Sequence, residues 1–236
     1  MVEEIEQPFE NPEVKKLFDI LMDNLLTESG RGALLVATSH IDRYLTELFE
    51  CVLPKDYPIA QRKQLFKYPG TLSSLSAKIE LAYAFRLINK KLYENLTALR
   101  RLRNDAAHGS DKFDLHDLED RLRNIYDMGD GFAFAIRDLA VSALMRVKAH
   151  NIGLVFDELG LTDEQKHERW TELFNDKENI KKLTQQAPHW EMIIGLCFLC
   201  WMIIHAKSRV EQLTAQSNLW GDLVGKLVKE ETDNPA

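Results

Sequence analysis

Apolar residues recur at every third or fourth position along most of this chain, which is the period of an α-helix. The first such stretch begins at Asn11-Pro12-Glu13, which combines a capping side chain, a proline at the first helical position and an acid in the first turn. Its apolar face is formed by Val14, Leu17, Phe18, Leu21 and Leu25. No stretch alternates apolar and polar residues for long, so the pattern predicts an all-α fold.

Glycine and proline divide the first half of the chain into helices. Residues 30–32, Gly-Arg-Gly, separate the first helix from the second, and Pro69-Gly70 closes a loop of about fifteen residues, long enough to contain a short helix. We expect Thr71 to cap the helix that follows. A break near Asn89 then leads into a helix rich in arginine.

The third quarter of the chain has clear helix boundaries. Asp114 is predicted to cap a helix that runs to about Asp127, and residues 129–131, Gly-Asp-Gly, form a turn. The next helix begins at about Phe132 and ends near Gly160. These boundaries predict two consecutive helices joined by a tight glycine turn.

The last quarter holds the most apolar run of the sequence. A capping box at Thr162 and Gln165 starts one helix. The run Met192–Ile204 has thirteen residues, whereas a bilayer span needs about 20, so it favours a buried core or dimer helix over a membrane segment. A final helix is expected from about Leu219.

A change of composition near residues 158–162 suggests how the chain is organised. We expect an N-terminal helix, residues 1–30, to pack on a helical bundle formed by residues 31–160. Residues 161–236 would form a C-terminal helical extension that offers a dimer or partner interface.

Composition and charge narrow the setting. The chain has 236 residues with a formal net charge of −7, so only a local basic patch can bind phosphate against the overall field. Its three cysteines cannot all pair, which fits a reducing compartment. The acidic first residues lack the basic and apolar regions of a secretory signal, so we expect a cytoplasmic protein without a membrane anchor.

The stretch LRRLRNDAAHGS, residues 99–110, carries the strongest chemical signal. Arg103, Asn104 and His108 lie on adjoining stripes of one helix. Histidine titrates near neutral pH, as a general acid or base must, and arginine matches the charge of a phosphorane. RNA supplies its own 2′-hydroxyl nucleophile. The alternative is an ordinary surface helix with a basic residue near its end.

Other side chains are candidates for binding RNA rather than cleaving it. Arg100 and Arg101 make this the densest basic patch, and His40 on the second helix is expected to help position RNA. Cys197-x-x-Cys200 lies inside the apolar run without a second cysteine pair, so it favours buried structural cysteines, and we expect neither a metal nor a cofactor.

The chain resembles the HEPN superfamily of small helical domains, many of which are RNases of toxin or defence systems. Residues 103–109, RNDAAHG, match its Arg-x4–6-His motif at a helix end. Residues 31–110 resemble the mannitol operon repressor (MltR-like) branch through GALLVATSHIDRYLTELFECVL, the LPKDY loop and GTLSSLSAKIELAYAFRLINKKLYENLTALRRLRNDAAHG. This implies a HEPN-like bundle with a C-terminal extension.

The resemblance implies a metal-independent endoribonuclease. Arg103 and His108 would be catalytic, with Asn104 as the adjacent polar helper, and a homodimer would bring two copies of the motif to one cleft. An antitoxin or other regulatory protein is an expected partner. The alternative is a non-catalytic transcriptional regulator that acts through protein partners, with residues 192–204 as the contact. The net charge and the lack of a basic recognition helix argue against direct DNA binding.

Overall fold

The fold is all-α, as the periodicity predicts. The computed structural model describes residues 7–25, 28–108, 113 and 115–216. Within these residues there is no strand. The helices are α1 Pro12–Leu25, α2 Gly30–Val52, α3 Ile59–Phe66, α4 Leu75–Ala84, α5 Lys90–His108, α6 Glu119–Tyr126, α7 Phe132–Glu158, α8 Asp163–Asn175 and α9 Lys177–Gln216, with a short 3₁₀ turn at His116–Leu118.

Two predicted helix starts are confirmed by their capping hydrogen bonds. Asn11 Oδ1 accepts from the backbone N–H groups of Glu13 and Val14, at 3.0 and 3.3 Å. The capping box of α8 is complete: Thr162 Oγ1 accepts from the N–H of Gln165 at 3.3 Å, and Gln165 Oε1 accepts from the N–H of Thr162 at 3.0 Å. These side chains satisfy N–H groups that the helix itself leaves unpaired.

The turn before α7 is also confirmed. Gly129 and Gly131 have φ angles of 95° and 81°, in the left-handed region that glycine enters without steric cost. Asp127 Oδ1 accepts from the N–H of Gly129 at 2.9 Å, which fixes the entry to this turn. α7 then runs to Glu158, close to the predicted end at Gly160.

Two predicted starts differ from the structure, and two fall outside its description. α4 is capped by Ser74, whose Oγ accepts from Ala77 N–H at 3.2 Å, rather than by Thr71. α2 already begins at Gly30, because residues 30–32 continue the helix instead of interrupting it. The expectations for a cap at Asp114 and a helix from Leu219 lie outside the described residues.

The chain divides into two compact units. The first takes Met1–Ile41 and Lys90–Trp201, and the second takes Asp42–Asn89 and Met202–Ala236. The division passes within α2 and α9. This division by compactness does not test the predicted boundaries of the bundle and the extension.

The core of the first unit is formed by one apolar face from each of several helices. A close approach in it lies between α6 and α9, where a Cβ added to Gly195 would overlap the buried ring of Tyr126. Edge-to-face pairs join Phe198 to Phe9 at 5.7 Å and to Phe132 at 5.2 Å between ring centroids. Buried members of this core are Val14, Leu17, Leu21, Leu92, Leu96, Leu99, Leu102, Leu122, Ile125, Ile136, Trp190 and Ile194.

The second unit has a salt bridge beside its apolar core, with its lysine buried and its aspartate partly exposed. Lys78 on α4 is 3% exposed, and its Nζ donates to Asp42 Oδ1 on α2 at 2.7 Å. The α9 portion is tied to α2 by Lys207 and Glu47, 3.4 Å apart. Its buried apolar residues are Tyr44, Leu45, Leu48, Phe49, Leu72, Ile79, Ala82, Ile88, Ile203 and Ile204.

Two helices of the described chain are long and apolar enough to cross a membrane, α7 and α9. The most apolar window of α9 is 78% buried within the protein, and that of α7 is 17% buried. Burial on this scale is typical of the core helix of a soluble protein, so residues 192–204 lie in the core, as the short length of the run predicts. α7 instead keeps much of its apolar surface exposed.

Candidate active site

The predicted catalytic residues lie near the C-terminal end of α5. The other face of this helix is anchored in the core. Leu99, Leu102 and Ala106 are buried at intervals of three or four residues, which sets the rotation of the helix. One turn further back the buried Asn95 donates from Nδ2 to the carbonyl of Asp127 at 3.3 Å. The opposite face of the last two turns therefore points away from the core.

Arg103 and Asn104 contact each other on this outer side. Arg103 Nη1 donates to Asn104 Oδ1 at 3.3 Å, and both side chains are half-buried. His108, at the last position of α5, is exposed. Five residues on a helix correspond to a rise of about 7.5 Å and a rotation of about 140°, so Arg103 and His108 leave the axis in different directions.

The two predicted RNA-binding arginines precede the catalytic candidates on α5. Arg100 is half-buried and lies one turn from Arg103, whereas Arg101 is exposed and lies on the stripe of His108. Asp105, which lies between Arg103 and His108 in the sequence, forms an ion pair with Arg121 of α6 at 2.5 Å. Arg121 thus compensates the charge of this carboxylate. We call Arg100, Arg101, Arg103, Asn104 and His108 the motif surface.

The remaining candidate, His40, is half-buried on α2. Its role in positioning RNA stays a prediction. Within the described residues, no group of three or more His, Cys, Asp or Glu side chains is arranged to hold a metal ion. His116 forms a pair with Glu119 at 2.8 Å instead.

A second polar cluster lies inside the first unit, and the sequence pattern did not predict it. Glu191 of α9 is 1% exposed, and its carboxylate lies 3.8 Å from Arg137 Nε of α7. Glu119 of α6 contacts Arg123 at 2.8 Å and Arg137 at 3.9 Å. With Tyr126, these four residues form what we call the buried ionic cluster.

Burial governs the electrostatics of this cluster. It raises the pKa of the Glu191 carboxyl above 4.5, although Arg137 and Arg123 act in the opposite direction. It also raises the pKa of the Tyr126 hydroxyl well above 10, with a further contribution from Glu191. The Tyr126 hydroxyl has no hydrogen-bond partner among the described residues. The cluster thus combines a buried carboxyl and a buried hydroxyl with arginines that remain partly exposed.

The cysteines and the apolar run take structural positions. Cys197 and Cys200 are buried and form no disulfide, and burial raises the pKa of the Cys197 thiol. Most side chains of residues 192–204 are buried in this chain's own core. This leaves little apolar surface there for a partner, in contrast to the expectation that the run offers the contact.

Comparisons of this chain with family models, curated proteins and solved structures find no match. The relationship to the HEPN superfamily and its mannitol operon repressor branch therefore stays a prediction from the motif. Any functional argument has to rest on the chemistry of this chain's own residues.

Proposed function

We propose that the protein is a metal-independent endoribonuclease of the HEPN type, with Arg103, Asn104 and His108 as its site. The 2′-oxygen of RNA attacks the adjacent phosphorus, the bond to the 5′-oxygen breaks, and a 2′,3′-cyclic phosphate and a 5′-hydroxyl result. His108 takes the proton from the 2′-hydroxyl or delivers one to the leaving oxygen. Arg103 stabilises the charge of the phosphorane, and Asn104 orients one of them.

The observation that carries this proposal is the contact between Arg103 and Asn104 at the end of α5 that also bears the exposed His108. Asn104 holds one guanidinium nitrogen at 3.3 Å, which limits the rotamers of Arg103 and leaves its other donors for phosphate oxygens. Arg100 and Arg101 add positive charge around it, and Asp105 is already paired with Arg121. This local field counters the net charge of −7 of the whole chain.

The divergence of Arg103 and His108 around the helix supports a homodimer as the active form. Transesterification needs a base at the 2′-hydroxyl and an acid at the 5′-oxygen, on opposite sides of the phosphorus. One motif contains one histidine, so two copies facing one cleft would supply both groups. The proposal places this dimer in the cytoplasm, where an antitoxin or another regulatory protein can restrain it.

The test is cleavage of a mixed RNA pool in EDTA with detection of 2′,3′-cyclic phosphate ends. We expect His108→Ala and Arg103→Ala each to reduce cleavage by about 100-fold or more. Arg146→Ala and His150→Ala are matched controls, since both residues are exposed on α7, and they should cleave like the wild type. Cleavage by His108→Ala at the wild-type rate would show that this mechanism is wrong.

A second function is favoured by the exposed apolar surface of α7. Here the protein is a non-catalytic regulator that contacts an apolar helix face of a partner protein, and Arg103 is dispensable. The exposed apolar side chains of α7 include Phe134, Leu139, Val141, Val147, Leu154 and Val155. Absence of cleavage by the wild type, together with loss of a co-purifying partner in Phe134→Ser/Leu154→Ser, would favour this function over the ribonuclease.

A further inference from the structure

A half-open cavity of about 240 Å³ lies within the first unit, between α7, α8 and α9. Each helix contributes a stripe with the spacing of a single face. The lining residues are Met145, Lys148, Ala149 and Ile152 from α7, Trp170, Leu173 and Phe174 from α8, and Asn179, Lys182, Leu183 and Gln186 from α9. Three helices thus converge on a cavity that remains partly open to solvent.

The wall contributed by α8 is aromatic. Trp170 stacks on Phe174 with centroids 5.5 Å apart and an interplanar angle of 20°, and Phe156 meets Trp170 edge-on at 5.7 Å. Phe156 is buried, so its edge-on contact restricts the orientation of the indole. Small-molecule sites are typically concave and apolar, with a few polar groups that orient the ligand.

Two cations and no acid line this cavity, although the chain contains 37 acidic and 30 basic residues. Lys148 is half-buried and has no ion-pair partner within the described part of the chain. Lys182 lies 4.0 Å from Glu178, a pair whose two side chains are mostly exposed. Such a pair contributes little and is readily exchanged for another anion.

We propose that this cavity binds a small amphiphile with an apolar body and one anionic head group, of the class of medium-chain carboxylates. Its volume corresponds to about eight groups of the size of a water molecule, which suits an eight-carbon chain. The aromatic wall and Ile152 contact the chain, and Lys148 and Lys182 receive the carboxylate. This site is independent of the motif surface on α5.

Binding has a structural consequence because α8 has no buried residue of its own. Trp170 and Leu173 are half-buried, and an occupant would complete their packing against α7 and α9. A ligand that binds only the folded state stabilises it by mass action. α8 is therefore the element whose attachment should respond to the ligand.

The test uses octanoate, octanol and octylammonium as probes on the full chain, with calorimetry and tryptophan fluorescence as readouts. We expect saturable binding of octanoate, about tenfold tighter than octanol, because a charge-assisted contact strengthens binding by this order. Octylammonium should bind more weakly than both. The fluorescence response should be lost in Trp170→Phe, which removes the indole that reports on the cavity.

The matched variants separate charge from shape. Lys148→Met/Lys182→Met should bind octanoate and octanol equally, whereas Lys181→Met, at an exposed neighbouring position outside the lining, should bind like the wild type. Ala149→Leu should fill the cavity and weaken all probes at unchanged helix content. Absence of saturable octanoate binding, equal affinity for octylammonium, or binding only to vesicles of anionic phospholipid would each overturn the proposal.

Discussion

The motif surface and the buried ionic cluster are two arginine-rich places in the same unit with opposite relations to solvent. On the motif surface, Arg103 contacts a neutral amide and His108 is exposed. In the cluster, Arg137 compensates Glu191, which is 1% exposed. The first place is accessible to a substrate, whereas the acid at the centre of the second has almost no access to solvent, so its compensation matters for folding.

The comparison shows that the role of an arginine depends on how accessible to water the group is that it contacts. Arg103 keeps donors that are free for phosphate, and the helix beneath it is held by other residues. Arg137 is still 42% exposed, but the acid that it faces has almost no access to water. Removing Arg137, which faces a buried acid, should therefore lower the free energy of unfolding more than removing Arg103, which contacts an amide.

Arg137→Ala should change stability more than Arg103→Ala does. It leaves Glu191 buried with only the weaker contribution of Arg123 for compensation, and we expect the free energy of unfolding to fall by about 1–3 kcal/mol at pH 7. Arg103→Ala should change it by no more than about 0.5 kcal/mol. Urea unfolding followed by circular dichroism measures both.

A double variant tests the cause. Arg137→Ala/Glu191→Gln removes the uncompensated charge, so it should recover part of the loss caused by Arg137→Ala alone. If the two substitutions are additive, the effect of Arg137 arises from packing of its side-chain stem rather than from its charge.

Local sequence signals predicted those parts of the fold that local hydrogen bonds determine. Asn11 and the pair Thr162 and Gln165 cap their helices within three residues of chain, so the sequence alone contains both partners. The start of α4 was less certain because Thr71 and Ser74 are both competent caps. Packing of the preceding loop, in which Leu72 N–H donates to the carbonyl of Leu65 at 2.9 Å, leaves Ser74 as the cap.

Contacts distant in sequence were not predictable in this way. Glu191 reads as a polar boundary of an apolar run, and only the fold brings Arg137, 54 positions earlier, to its carboxylate. Lys148 and Lys182 read as ordinary surface lysines for the same reason. The motif surface was predictable as a pattern because all its residues lie on α5, but its function was not, since that depends on a substrate and a second copy.

The pH dependence of stability should sharpen the contrast at Glu191. Burial raises the pKa of this carboxyl in the folded state, so between 4.5 and that raised value the folded protein binds more protons than the unfolded one. Stability contributed by neutral Glu191 is complete below about pH 4.5 and is lost as the pH rises through the folded-state pKa. The loss is about 1.4 kcal/mol for each unit by which the two pKa values differ.

Glu191→Gln provides the reference for this measurement, because other groups titrate equally in both proteins. The unfolding free energy of the wild type minus that of the variant should decrease between pH 4.5 and 7. A difference that increases with pH would show that Arg137 and Arg123 outweigh burial and lower the pKa.

Tyr126→Phe should have the smallest effect and probes the interior of the cluster most directly. The ring packs against Gly195, while the hydroxyl is buried without a partner among the described residues. Removing a buried, unsatisfied hydroxyl should leave stability unchanged or raise it by up to about 1 kcal/mol. Tyr126→Ala, which also removes the ring, should cost about 3–5 kcal/mol. Thermal unfolding of both variants separates the contributions of ring and hydroxyl. A loss above about 1 kcal/mol in Tyr126→Phe would mean that the hydroxyl is hydrogen-bonded, and that the cluster is held by Tyr126 as well as by its ion pairs.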